Sequence, residues 1–110
     1  MIVGIVERNQ KNLELMKEFF ERHGYEVVSA RDYEEFDELS RAEIVFVDIA
    51  GFDRRIWDKC EWLREKNTPF VLIYPKRVEK VETRGAEAVL FKPLNPRRIL
   101  ELLKELSEDK

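Results

Sequence analysis

The sequence has one cysteine, one histidine, four glycines and four prolines, and neither sign of charge dominates it. A single cysteine, Cys60, leaves no internal disulfide, so packing has to hold the fold. Its place in a helical pattern beside Trp62 and Leu63 reads as a small apolar residue in a reducing interior. The lone His23, next to Gly24, reads as a helix-terminal residue. No apolar run reaches the roughly 18 to 20 residues that span a bilayer, and the amino terminus enters a strand directly instead of a basic signal region. A soluble, cytoplasmic protein with no membrane contact is expected. Lys+Arg 20 against Asp+Glu 23 gives a net charge of −3, which argues against direct nucleic-acid binding through bulk charge. There is no Gly/Ser/Pro-rich linker, low-complexity stretch or repeat, so residues 1–110 are expected to form a single domain.

Charge of both signs is abundant. Charged residues make up 39% of the chain against a usual value of about 25%, with one glutamine and four asparagines. That balance is found in heat-adapted proteins, where surface ion pairs lose less to desolvation, and a thermophilic source is expected.

Apolar runs and helical periodicities alternate from end to end. Strand one is predicted over Ile2 to Val6. Asn9 caps a helix whose inner face is Leu13, Met16, Phe19 and Phe20 and whose end is Gly24. Tyr25 to Ala30 is strand two. Asp32 with Glu35 has capping-box spacing and opens a short helix through Phe36 and Leu39. Strand three is Glu43 to Asp48, followed by a helix from Asp53 to Lys66 with Ile56, Cys60 and Leu63 inward and Asn67 as its left-handed stop. Trp57 and Trp62, five apart on that helix, point in different directions, so at least one is a candidate for partner contact. Strand four is Phe70 to Tyr74. A short helix from Val78 to Arg84, with Arg77, Lys80 and Arg84 on a solvated face, ends at Gly85. Strand five is Glu87 to Phe91. Asn95-Pro96 opens a last helix on Ile99, Leu102, Leu103 and Leu106, which runs out in Ser107 to Lys110, a polar tail suited to a terminus or a linker.

Five βα units with nearly all-apolar strands imply an α/β fold: three αβα layers around a five-stranded parallel sheet, flavodoxin-like, with right-handed crossovers giving the order 2-1-3-4-5. In such a sheet ligands collect at the carboxyl ends of the strands. Asp48 closes the run Ile44-Val45-Phe46-Val47, Lys92 closes Val89-Leu90-Phe91 before Pro93, and strand one ends in Glu7-Arg8. These four residues outline a site.

Asp48, Lys92-Pro93, the Gly24-Tyr25 step into strand two and the Gly85-Ala86 step into strand five stand in family-like order and spacing. On these features the chain resembles, over essentially its full length, a receiver domain of the two-component response-regulator family (CheY-like). The resemblance implies phosphorelay signal transduction. Asp48 would accept a phosphoryl group from a histidine kinase or other phosphodonor protein, and Lys92 would bind the phosphate. Output would pass through a downstream protein partner or a homodimer, with the domain a phosphoprotein switch and not an enzyme. Any bound Mg2+ would be held by Glu7, Asp48 and the Ala50 backbone.

The pocket departs from the family pattern. Arg8 falls on the second acidic, metal-ligand position, Tyr74 replaces the small hydroxyl residue at the end of strand four, and Val89 stands where an aromatic is common. The Tyr74 to Gly85 interval is short by about one helical turn, and Ile49-Ala50-Gly51-Phe52 lacks the usual proline. Glu7 and Asp48 against Arg8 and Lys92 is already neutral. A divalent ion about 4 Å from a guanidinium would cost roughly 8 kcal/mol at an effective dielectric near 20, so Mg2+ binding is expected to be weak or absent. Arg8 has two alternative roles: a bidentate pair with Asp48 or Glu7, or, with Lys92, a clamp on an acyl phosphate. The first alternative leads to a phosphorylation-independent pseudo-receiver that signals by binding alone. A more remote reading, a small flavodoxin-like nucleotide or flavin binder, lacks a glycine-rich loop where Glu7-Arg8-Asn9-Gln10 stands.

Overall fold

Short β-branched runs form the strands and amphipathic stretches form the helices of a computed structural model that describes residues 1–108; Asp109 and Lys110, from the polar tail, lie outside the described residues. The strands are β1 (Ile2–Val6), β2 (Glu26–Ala30), β3 (Ile44–Asp48), β4 (Phe70–Tyr74) and β5 (Ala88–Phe91). They pair in parallel in the order β2-β1-β3-β4-β5, as predicted. The helices are α1 (Gln10–Arg22), α2 (Arg55–Glu65) and α3 (Pro96–Glu108), and a 3-10 helix spans Tyr33–Arg41.

Strand alternation divides the core in two. Val3, Ile5, Ile44, Phe46, Val71 and Ile73 face α1 and α3, where Leu13, Phe20, Ile99, Leu102 and Leu103 meet them. Val6, Val45, Val47 and Leu72 face the opposite layer, where Ile56, Cys60 and Leu63 of α2 pack beside Phe36 and Leu39 of the 3-10 helix. Gly4 is required there by close approach, since a Cβ on it would stand 3.0 Å from both Ala42 Cβ and Val45 Cγ2. Burial pushes the Cys60 thiol up to about 12, which fits the inert apolar role read from its position.

Local signals set the helix ends. Asn9 Oδ1 accepts the Asn12 N–H at 3.0 Å and opens α1. His23 Nδ1 meets the Phe19 carbonyl at 2.9 Å, and Gly24 follows at φ 88. Asn67, at φ 58, ends the α2 region as expected.

Two segments differ from the sequence expectation. The segment after Asp32 is a 3-10 helix, because Tyr33, Phe36, Leu39 and Ala42 recur every three residues and all pack on one cluster. Asp32 still caps it, accepting the Glu35 N–H at 3.2 Å, while Glu35 Oε1 reaches back to the Arg31 N–H at 2.6 Å. The predicted helix from Val78 to Arg84 does not form, and residues 75–87 are an irregular connection. The Tyr74 hydroxyl accepts the Glu82 N–H at 2.9 Å and donates to the Glu82 carbonyl at 2.7 Å, taking both groups that a helical ladder would need.

Candidate functional site

The carboxyl ends of β1, β3 and β5 bring three charged side chains together. Glu7 extends the β1 ladder, its N–H bonded to the Ala30 carbonyl at 3.1 Å, and turns a 2% exposed side chain inward. Asp48, 1% exposed, ends β3, and its Oδ1 accepts the Ala50 N–H at 3.0 Å. Lys92 follows β5, anchored by its N–H on the Tyr74 carbonyl at 3.1 Å. Its Nζ lies 2.6 Å from Asp48 Oδ2 and 3.9 Å from Glu7 Oε1. Neither of those oxygens has an aligned hydrogen bond, so the contacts are ionic.

Burial raises the Glu7 carboxyl to about 7, with the neighbouring Asp48 carboxylate adding to the shift; the Asn9 N–H and Lys92 oppose it. Two buried carboxylates beside one ammonium would carry −1, and a proton on Glu7 removes that excess.

Arg8 is outside this cluster. Successive residues of an extended chain point to opposite sides, so an inward Glu7 sends Arg8 outward. Its stem lies over Gly51, where an added Cβ would come within 3.4 Å of Cγ, and its guanidinium sits 5.7 Å from the Phe52 ring centroid. The bidentate pair with Asp48 or Glu7 is not formed: the exposed guanidinium instead lies over the half-buried Phe52 ring, where it stays in contact with solvent.

Tyr74 is also absent from the carboxylate cluster. Its ring packs 6.0 Å from that of Phe91 and its hydroxyl holds Glu82, so it fastens the β4–β5 connection. Trp57 and Trp62 are half-buried and covered by cations: Arg84 lies 5.3 Å from Trp57 and Lys66 4.5 Å from Trp62. Arg77 stacks on Phe91 at 4.7 Å, so two of the three cations expected on a solvated helix face, Arg77 and Arg84, lie over rings instead.

Two surfaces beside the cluster were not read from the sequence. An apolar groove of about 240 Å³ is lined by Leu15, Met16, Pro93 and Leu94 and borders Glu7, Asp48 and Lys92. Leu15 is 56% exposed, and its signal in the sequence was a leucine off the inner face of α1. On the other side of Arg8, Tyr33 donates to Asp53 Oδ1 at 2.8 Å, and Arg55 closes on Asp53 at 2.9 Å. Arg55 and Tyr33 together hold the Asp53 carboxyl well below the usual range, and burial with the Asp53 contact pushes the Tyr33 hydroxyl up to about 12. Asp53-x-Arg55 spacing at a helix start was the available sign.

No family model matches the chain. It is 25% identical to the polar-differentiation response regulator DivK of Brucella anthropi, the match covering 97% of this chain and 96% of that protein. A CheY-like response regulator receiver domain protein from Methanospirillum hungatei superposes with a TM-score of 0.82 at 25% identity, over 97% of this chain and 94% of that one. The chain has the fold of CheY-like receiver domains and is similar to them. A two-component response regulator from Clostridium difficile shares the same fold, with a TM-score of 0.83 at 21% identity over 98% of this chain and 96% of its own. Among the described residues, no helix is long and apolar enough to cross a membrane. Asp48, Lys92 and Glu7 meet at the carboxyl end of the sheet.

Proposed function

We propose that this receiver domain accepts a phosphoryl group on Asp48 and signals through protein–protein contact in the cytoplasm, as the substrate and switch of a phosphodonor protein. The observation that carries the reading is the Asp48–Lys92 contact of 2.6 Å, at a buried carboxylate whose Oδ1 is already held by the Ala50 N–H. In the transfer a carboxylate oxygen of Asp48 attacks phosphorus, the bond from phosphorus to the donor nitrogen or oxygen breaks, and the Lys92 ammonium turns from carboxylate to phosphoryl oxygen. Lys92, 30% exposed, is the side chain that has to move. The groove at Leu15, Met16 and Leu94 gives a protein donor an apolar seat next to Asp48.

Mg2+ binding is proposed to be weak or absent, for a reason other than the one read from the sequence. Arg8 stacks on Phe52 and does not repel a cation from within the pocket. The ammonium of Lys92 instead occupies the space between the two carboxylates. Among the described residues no group of three acidic, His or Cys side chains assembles there. A hard divalent ion wants about six oxygen ligands and few positive neighbours, and this donor set fits it poorly.

The test is treatment with acetyl phosphate followed by intact mass. One added phosphoryl group that disappears in Asp48→Asn is the expected result. No adduct under any condition would return the domain to a phosphorylation-independent binding module, although the Arg8–Asp48 pair that motivated that reading is not formed.

A further inference from the structure

Arg8 stands on a wall between two clefts. One is the mouth of the acidic pocket, about 410 Å³, bordered by Glu7, Asn12, Ala50, Gly51 and Lys92. The other, about 400 Å³, is bordered by Tyr33, Phe52, Asp53 and Arg55. Arg55, at the far end of the second cleft, is tied to Asp53 at 2.9 Å while it stacks on Tyr33 at 4.7 Å. Arg8 makes no ion pair among the described residues, and its seat on Phe52 at 5.7 Å is a weak contact at an exposed site. Gly51 presents no side chain beside the stem of Arg8.

We infer that Arg8 is a phosphoryl ligand that swings from Phe52 into the pocket mouth when Asp48 is phosphorylated and, with Lys92, binds the phosphoryl oxygens in place of a divalent cation. The inference rests on Asp48 being the acceptor. Phosphorylation replaces one carboxylate charge by about two phosphoryl charges beside Glu7, and Lys92 alone then leaves the cluster with net negative charge. A guanidinium offers two parallel N–H groups that match phosphoryl oxygens, the arrangement a transferring phosphoryl group needs as its charge develops. The step is balanced: acetyl phosphate loses acetate as the Asp48 oxygen–phosphorus bond forms, and Arg8 exchanges a ring contact for hydrogen bonds without gaining or losing a proton.

The experiment is labelling of the whole chain by acetyl phosphate in EDTA, followed by intact mass, with binding of beryllofluoride, a non-transferable phosphoryl mimic, read by fluorine NMR. Wild type is expected to be labelled and to bind beryllofluoride without Mg2+. Arg8→Ala is expected to slow labelling and weaken beryllofluoride binding by about tenfold or more, while circular dichroism shows an intact fold. Arg55→Ala, which alters the same cleft but cannot reach Asp48, is expected to leave both unchanged. Phe52→Leu, which removes the resting seat, is expected to speed labelling. Adduct formation that requires Mg2+ and is indifferent to Arg8→Ala would overturn the role of Arg8 while leaving Asp48 as acceptor. Failure of every variant and of wild type to label, with or without Mg2+, would overturn the acceptor reading and this inference with it.

Discussion

Glu7 is a buried acid whose proton affinity is set by its surroundings, and it makes the pH dependence of stability testable at a single residue. Its folded-state pKa of about 7 lies above the ordinary 4.5, so the folded state binds a proton more tightly than the unfolded state does. The resulting stabilisation is fully present below pH 4.5 and is lost as pH rises through about 7. Glu7→Gln, which keeps the shape and removes the charge, is expected to flatten this slope. At pH 8 it should be more stable than wild type by up to about 3 kcal/mol, as read by urea unfolding between pH 5 and 8. Lys92→Met acts in the opposite direction. It leaves two buried carboxylates without their ammonium and is expected to cost about 1–3 kcal/mol at pH 8, less at pH 5 where Glu7 is neutral. Equal cost at both pH values would show that Lys92 contributes packing and not charge.

At the scale of elements, two segments depend on contacts a few residues long. The β4–β5 connection is held where the Tyr74 hydroxyl meets Glu82. Burial raises the Tyr74 pKa, so the hydroxyl keeps its proton and can both donate and accept. Tyr74→Phe is expected to cost about 1 kcal/mol, since water can replace the bonds at exposed Glu82, and to speed hydrogen exchange at the Glu82 amide. Unchanged exchange at Glu82 would count against the clasp. The 3-10 helix depends on Gly4, over which Leu39 and Ala42 close. Gly4→Ala is expected to cost about 1–3 kcal/mol in a denaturant titration, because the neighbours within 3.0–3.2 Å include the Ala42 and Val45 side chains. The periods of these elements were present in the sequence but were open to two readings. Phe36 and Leu39 are three apart, which suits an α-helix or a 3-10 helix, and only the continuation to Tyr33 and Ala42 against one cluster selects the latter.

Over the whole molecule, most of the ion pairs among the described residues are exposed, as at Arg41–Glu26, Arg64–Glu61 and Arg84–Glu82. Such pairs each contribute about 0–1 kcal/mol and are screened by salt. Raising NaCl to 1 M is therefore expected to change the unfolding free energy by no more than about 1–2 kcal/mol; a loss of several would show that the surface pairs act as a network. By itself the sequence determined the strands, their parallel order and the meeting of Asp48 with Lys92. Apolar runs that end in a charged residue can be buried on both faces only as parallel strands with the charge at the carboxyl end. Tertiary structure alone decided where Arg8, Tyr74 and residues 75–87 go. Each of these is settled by a partner outside the local pattern: a ring under a guanidinium for Arg8, and a backbone amide under a hydroxyl for Tyr74 and residues 75–87.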